Sequence, residues 1–262
     1  PRVAEIRKFM NEVGLNEVPI VMAGGVWNLS EYEDWIDNPE IGPIVFQFGT
    51  RPILTQEYPV PQKWKEKLLT LKKGDVYLNR FSPTGFYSSA IENDFIKELQ
   101  GREIRQVDYR AKETGEFDTA IPFGNRGRSV YIKAEDKKLV DQWKNEGHDE
   151  GMKTPDDTLM FVDKSKAAQI VTDQIDCMGC LSQCRFSNWT DKEEDNYTTN
   201  KRADPRSFCI QKTLQDALHG NDIENQLLFA GHAAFKFQEE RSYYNGHIPT
   251  IGELVKEITA GR

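Results

Sequence analysis

The chain has 262 residues, 38% hydrophobic and 11% aromatic, and its 42 acidic against 34 basic side chains give a net charge of -8. That length can bury one large core or two modest ones, and the acidic balance speaks against nucleic acid as a partner, because phosphate neutralisation needs clustered Lys and Arg. No run approaches the roughly eighteen apolar residues of a membrane span and no signal-peptide pattern opens the sequence, so no membrane partner and a cytoplasmic location are expected.

Residues 2–13, RVAEIRKFMNEV, place Val3, Ile6, Phe9 and Met10 at helical spacing, and Gly14 ends that helix. NEVPIVMAGG follows as a short apolar strand ending in glycines. Ser30 and Glu33 in SEYEDW form a capping-box pattern for a second helix. IGPIVFQFGTR is again an apolar strand running into glycine. PQKWKEKLLTL (61–71) reads as helix with Pro61 near its first turn, and DVYLNRF (75–81) reads as strand. SPTG then turns the chain into an expected helix around 87–99. The order helix–strand–helix–strand–helix–strand–helix predicts a parallel α/β arrangement.

After about residue 101 the texture changes. EFDTAIPF and SVYIK alternate with the strand period around GNRG, which predicts a hairpin. Helices are expected at 134–146 and 163–175, with TLMFV as a short strand between them. The cysteine segment is followed by a polar stretch, TDKEEDNYTTNKRADP, that reads as a solvated loop. CIQKTLQDALHG reads as a helix ending at Gly220, and Thr250 with Glu253 forms a capping-box pattern for a last helix at 250–259. The expected division is therefore α/β over 1–101 and mixed α+β over 102–262.

VPIVMAGGVWN and IVFQFGTRP share one design, an apolar strand whose C-terminal end breaks into glycine. Glycine lets backbone approach an anion with no side chain between, and consecutive N–H groups there cradle phosphate. Ala23, Gly24, Gly25, Gly49 and Thr50 are the candidate residues, with Arg51 as charge support. Each turn by itself also suits an ordinary strand-to-helix connection.

PIVMAGGVWN…GPIVFQFGTRPILTQE, followed by GDVYLNRFSPTGFYSSAIENDF, resembles the closing strands of the nitronate monooxygenase (2-nitropropane dioxygenase-like) flavoproteins. The resemblance covers residues 1 to about 100. It implies an FMN-dependent oxidoreductase acting on nitronates, nitroalkanes or a related small-molecule substrate. It also implies that Ala23, Gly24 and Gly25 match one FMN phosphate turn, and Gly49 and Thr50 the other. The implied fold is the C-terminal part of a TIM (β/α)8 barrel followed by a mixed α+β extension. The five upstream strands of that family, which usually carry its histidine base, have no counterpart here, and the sequence opens on Pro1 rather than Met. Three strand units cannot close an eight-stranded barrel. The resemblance thus makes the N-terminal half of the barrel an expected partner, leaves the catalytic base unassigned, and leaves a homo-oligomer open.

DCMGCLSQCRF (176–186) places Cys177, Cys180 and Cys184 in one short loop, and the remaining cysteine, Cys209, follows alone. A disulfide framework suits small secreted domains better than this chain. Zinc sites usually pair two short knuckles, whereas three thiols in one loop with a remote fourth suit a [4Fe–4S] cluster. CMGCLSQC also resembles the cluster loop of the FMN-dependent 2,4-dienoyl-CoA reductase and trimethylamine dehydrogenase family, in which the fourth cysteine follows sooner. The expected metal site is Cys177, Cys180, Cys184 and Cys209, with zinc as the alternative occupant, and a non-catalytic zinc- or cluster-binding interaction module or an FMN/iron–sulfur reductase as the competing functions. Gly179 suits a tight loop, and Gln183, Arg185 and Ser187 are candidate hydrogen-bond donors to the site.

Among His148, His219, His232 and His247, the apolar surroundings of FAGHAAF mark His232 as the one expected to be buried, with a structural role favoured over that of a base. SPTGFYSS (82–89) offers Thr84, Gly85, Phe86 and Tyr87 either as pocket lining or as a plain turn.

Overall fold

Residues 2–124, 127–181, 183–187, 203–220 and 222–260 are described by a computed structural model. The tip of the GNRG hairpin and most of the TDKEEDNYTTNKRADP stretch lie outside the described residues.

Helix α1 (Arg2–Glu12) forms where the periodicity places it, but Ile6 and Phe9 of its apolar stripe are exposed. The one buried side chain of α1 is Arg7, at 2% exposure. Its guanidinium donates to the carbonyls of Leu15, Asn16, Val18, Ile41 and Pro43. Five backbone dipoles thereby take the place of a counter-ion, and one cation ties α1 to the entries of the two strands that follow. A Cβ on Gly42, which sits at φ +68°, would lie 2.9 Å from Arg7 Nε. Glycine there serves both the turn and the guanidinium.

Strands β1 (Ile20–Ala23) and β2 (Ile44–Gln47) pair in parallel, with Ile20 opposite Ile44 and Ala23 opposite Gln47. The segment between them contains a 3₁₀ stretch, Leu29–Trp35, with Asn28 rather than Ser30 at its N-cap position. Helix α2 (Gln62–Leu69) then buries Trp64 and Leu68.

The barrel expectation fails at the third strand. β3 (Val76–Asn79) is followed by strand β4 (Ser88–Ile91), which pairs with it antiparallel in a separate two-stranded sheet. The expected helix begins only afterwards, as α3 (Asp94–Ile104), capped by the Asn93 side chain. Gly85, at φ +79°, lies in the turn that reverses the chain. A hairpin cannot extend a parallel, right-handed βαβ series. The described residues form several small sheets, none of them closed, so the fold is mixed α/β with no barrel.

The second half carries a three-stranded antiparallel sheet in the order β5 (Gln106–Asp108), β9 (Thr158–Val162), β8 (Glu150–Lys153). β6 (Thr119–Phe123) and β7 (Arg128–Ile132) form the expected hairpin. Helices α4 (Lys137–Asn145), α5 (Lys164–Ile175), α6 (Ile210–His219) and α7 (Ile251–Thr259) complete the fold. The Thr250–Glu253 capping box forms as expected at the start of α7.

One core crosses the boundary near residue 101. Trp27, Leu54, Trp64, Leu68 and Ile91 pack with Ala217, Leu228, Ala234, Phe237 and Tyr243. A second core joins Val107, Ile121, Ile132, Trp143 and Phe161. Among the described residues no helix is long and apolar enough to cross a membrane.

Candidate functional site

The chain holds two candidate sites. The first lies at the C-terminal ends of β1 and β2. Because the two strands run in parallel, both glycine turns emerge at the same edge, as ligand crevices in α/β sheets do. A cavity of about 320 Å³ is lined there by all six candidate residues, Ala23, Gly24, Gly25, Gly49, Thr50 and Arg51. Its far wall comes from Phe229, Ala230, Gly231 and Ala233, which the sequence did not connect with the turns. The Gly231 N–H donates to Thr50 Oγ1 at 2.7 Å, so the wall is hydrogen-bonded to the second turn.

Each glycine has its own reason. Gly24 and Gly25 sit at φ +86° and +76°, where a Cβ is costly. An added Cβ at Gly25 would come 3.2 Å from His232 Cε1, whereas at Gly24 or Gly49 it would meet nothing within 4 Å. Gly49 has no left-handed φ to require it, so its bare backbone leaves room that the protein itself does not fill. His232 proves exposed rather than buried, because its ring lies over Gly25 and not inside the FAGHAAF segment's core.

Arg51 lines the same cavity but directs its guanidinium elsewhere. It is buried, donates from Nη1 to Trp27 O and Asn28 Oδ1, and pairs through Nη2 with Glu257 on α7 at 2.5 Å. Its Nε–H has no partner among the described residues. Phe86 and Tyr87 are exposed, and from their segment it is Ser89 that lines the cavity. A phosphate in this cavity would meet bare backbone and the Thr50 hydroxyl, while the buried Arg51 guanidinium is committed to protein partners.

The second site gathers the cysteines. Cys177 follows α5, Cys209 is the N-cap residue of α6, and Cys180 and Cys184 lie between the two helices in sequence. All four are free thiols and all four line one cavity of about 200 Å³. Gly179, at φ +69°, allows the loop its tight turn. Cys184 and Cys209 pack on the core of Met160, Val162, Ile170 and Phe186. Desolvation, and then the neighbouring charges of Cys209, Cys184 and Cys177, push the Cys180 thiol above its ordinary range.

No group of three or more His, Cys, Asp or Glu side chains among the described residues is arranged to hold a single metal ion. Tetrahedral zinc, with Zn–S bonds of about 2.3 Å, draws its sulfurs to within about 4 Å of one another. A four-iron cube instead holds its thiolates around a volume. Ser187 Oγ donates to Cys177 Sγ at 3.0 Å, the one expected outer donor that reaches a sulfur. Gln183 is exposed, and Arg185 turns to Asp204 at 2.8 Å.

The segment carrying Cys209 is held by polar groups that sequence reading missed. Arg102, 6% exposed on α3, donates to the carbonyls of Pro205 and Ser207. Burial lowers the Arg102 pKa from its ordinary value, with Glu98 opposing. Ser207 Oγ donates to Phe81 O at 2.6 Å, and the Arg185 N–H to Pro83 O at 2.9 Å. Both cysteine segments are therefore moored to the stretch that leads out of β3. No protein-family model matches the chain, and no curated protein matches it.

Proposed function

We propose that the chain belongs to an FMN-dependent oxidoreductase of the nitronate monooxygenase kind, with a [4Fe–4S] cluster held by Cys177, Cys180, Cys184 and Cys209. The observation that carries this reading is the convergence of all four cysteines on one cavity, although Cys184 and Cys209 are far apart in the chain. The glycine cavity supports the flavin part, since both turns face one space that the protein leaves open.

When bound, flavin supplies two-electron chemistry on a small substrate and a cluster supplies one-electron transfer. The chain's own contribution is to bind and orient. Gly24, Gly25 and Gly49 would present backbone to the phosphate, and the Thr50 hydroxyl, which accepts from the Gly231 N–H, keeps its own proton free to donate. Ser187 stabilises the Cys177 thiolate, and the apolar packing behind Cys184 and Cys209 keeps water from that side of the thiols.

The test is a visible spectrum with metal, sulfide and flavin analysis of the anaerobically purified full-length protein. Iron, acid-labile sulfide and released FMN are the expected result. Zinc with no chromophore would overturn the reading in favour of a non-catalytic zinc module.

A further inference from the structure

We infer that Asp204 is the positioning residue that makes three cysteines in one loop and a fourth far along the chain into a single site. The inference rests on the cluster reading above. Asp204 is 1% exposed. Its Oδ2 accepts from Arg185 Nη2 at 2.8 Å, and Arg185 immediately follows Cys184. Its Oδ1 accepts from Arg206 Nε at 2.8 Å and from the Arg206 backbone N–H at 3.0 Å, with Arg206 Nη2 on Oδ2 at 3.0 Å. Arg206 precedes Cys209 by three residues. The Asp204 backbone N–H closes the arrangement by donating to Arg185 O at 2.9 Å.

One buried carboxylate thus grips both cysteine segments at once. The arrangement is anchored outward as well, since Arg206 also pairs with Asp156 at 2.6 Å, in the connection between β8 and β9. Burial by itself would raise the Asp204 carboxyl. The hydrogen bonds and charge of Arg206, joined by Arg185, hold it below the ordinary carboxylate range. A carboxylate that stays charged in a buried position, with two guanidinium groups forked onto it, fixes direction as well as distance.

The geometry separates two jobs. Cys177, Cys180 and Cys184 are close in sequence, while Cys209 is brought beside them by the clamp together with the Arg102 and Ser207 hydrogen bonds to its own segment. Weakening Asp204 should therefore remove the fourth ligand selectively. The experiment is anaerobic purification of the full-length Asp204→Asn protein beside Cys209→Ala and the unaltered protein. Iron and sulfide content, electron paramagnetic resonance and circular dichroism are read on each.

The unaltered protein is expected to hold about four irons per chain. Asp204→Asn is expected to share the three-iron signature of Cys209→Ala while keeping its native circular dichroism. A four-iron signal in Asp204→Asn indistinguishable from the unaltered protein would overturn the inference and leave the cluster reading intact. An unaltered protein without iron would remove the cluster reading itself. Should Asp204→Asn fail to fold, Arg206→Gln weakens the same clamp while leaving Arg185 paired. A three-iron signature in that variant supports the positioning role, and an unchanged four-iron signature overturns it.

Discussion

The glycine cavity is walled by strand ends and bare backbone, whereas the cysteine pocket is walled by side chains delivered on loops. In the first, rigidity comes from the parallel β1–β2 pairing, and the charged residue at the wall, Arg51, is turned to Trp27, Asn28 and Glu257. In the second, no strand carries a cysteine, and order comes from a buried carboxylate and its arginines. A site made of backbone is specified by where strands end. A site made of side chains needs a separate device to bring its pieces together.

Four experiments bear on that contrast. The largest effect is expected at Arg51, whose loss strands Glu257 and the carbonyl of Trp27. Arg51→Met should lower folding stability by about 3 kcal/mol, as removal of one partner of a buried ion pair does. Denaturant unfolding reads this directly, and a change below about 1 kcal/mol would show that Arg51 does not tie α7 to the glycine turns.

The clamp is next. The folded Asp204 carboxyl sits below its ordinary unfolded value of about 3.9. Its contribution is fully present above that value and disappears as the pH falls through the folded one. Thermal unfolding of the unaltered protein should therefore weaken more steeply below about pH 4 than that of Asp204→Asn. Parallel acid profiles for the two proteins would contradict the electrostatic account.

The glycines are expected to separate. Gly25→Ala combines a left-handed φ with contact on His232 and should cost about 1–2 kcal/mol. Gly49→Ala should leave stability within about 0.5 kcal/mol and still reduce FMN retention, because its Cβ enters open space. Equal flavin content in Gly49→Ala and the unaltered protein would remove Gly49 from the phosphate cradle. The smallest effect belongs to Ser187→Ala, about 1 kcal/mol in stability. A cluster losing that donor should show a lower reduction potential, since the hydrogen bond favours the more negative state. An unmoved potential would make the Ser187–Cys177 bond purely structural.

Local pattern was legible wherever the chain's own periodicity decides. α1, β1, β2, α2, the β6–β7 hairpin and the Thr250 cap all lie where spacing places them. The spacing grouped Cys177, Cys180 and Cys184, while the place of Cys209 beside them depends on contacts between distant segments that no local pattern records. The turn after β3 misled because FYSSAIENDF carries a helical apolar spacing, while Ser88–Ile91 takes its partner from β3 and a bridge to Phe229. Burial of Arg7, Arg51 and Arg102 had no signal at all. Each donates to carbonyls from other segments of the chain, and composition reads such residues as surface. His232 was misjudged for the opposite reason, since apolar neighbours in sequence did not bury its ring.

The hydrogen bond from Gly231 to Thr50 spans 181 residues, and the core that includes Trp27 and Leu54 is completed by Phe237 and Tyr243. During synthesis, the first two strands and their glycine turns leave the ribosome long before the segment that closes their cavity. The cavity is therefore among the last features to form, and its assembly waits on a loop closure of high entropic cost. In the interval Trp27, Leu54, Trp64 and Leu68 of the early segment stand without that partner. Flavin added during refolding should accordingly act late, on a nearly complete chain, and not as a template for the first strands.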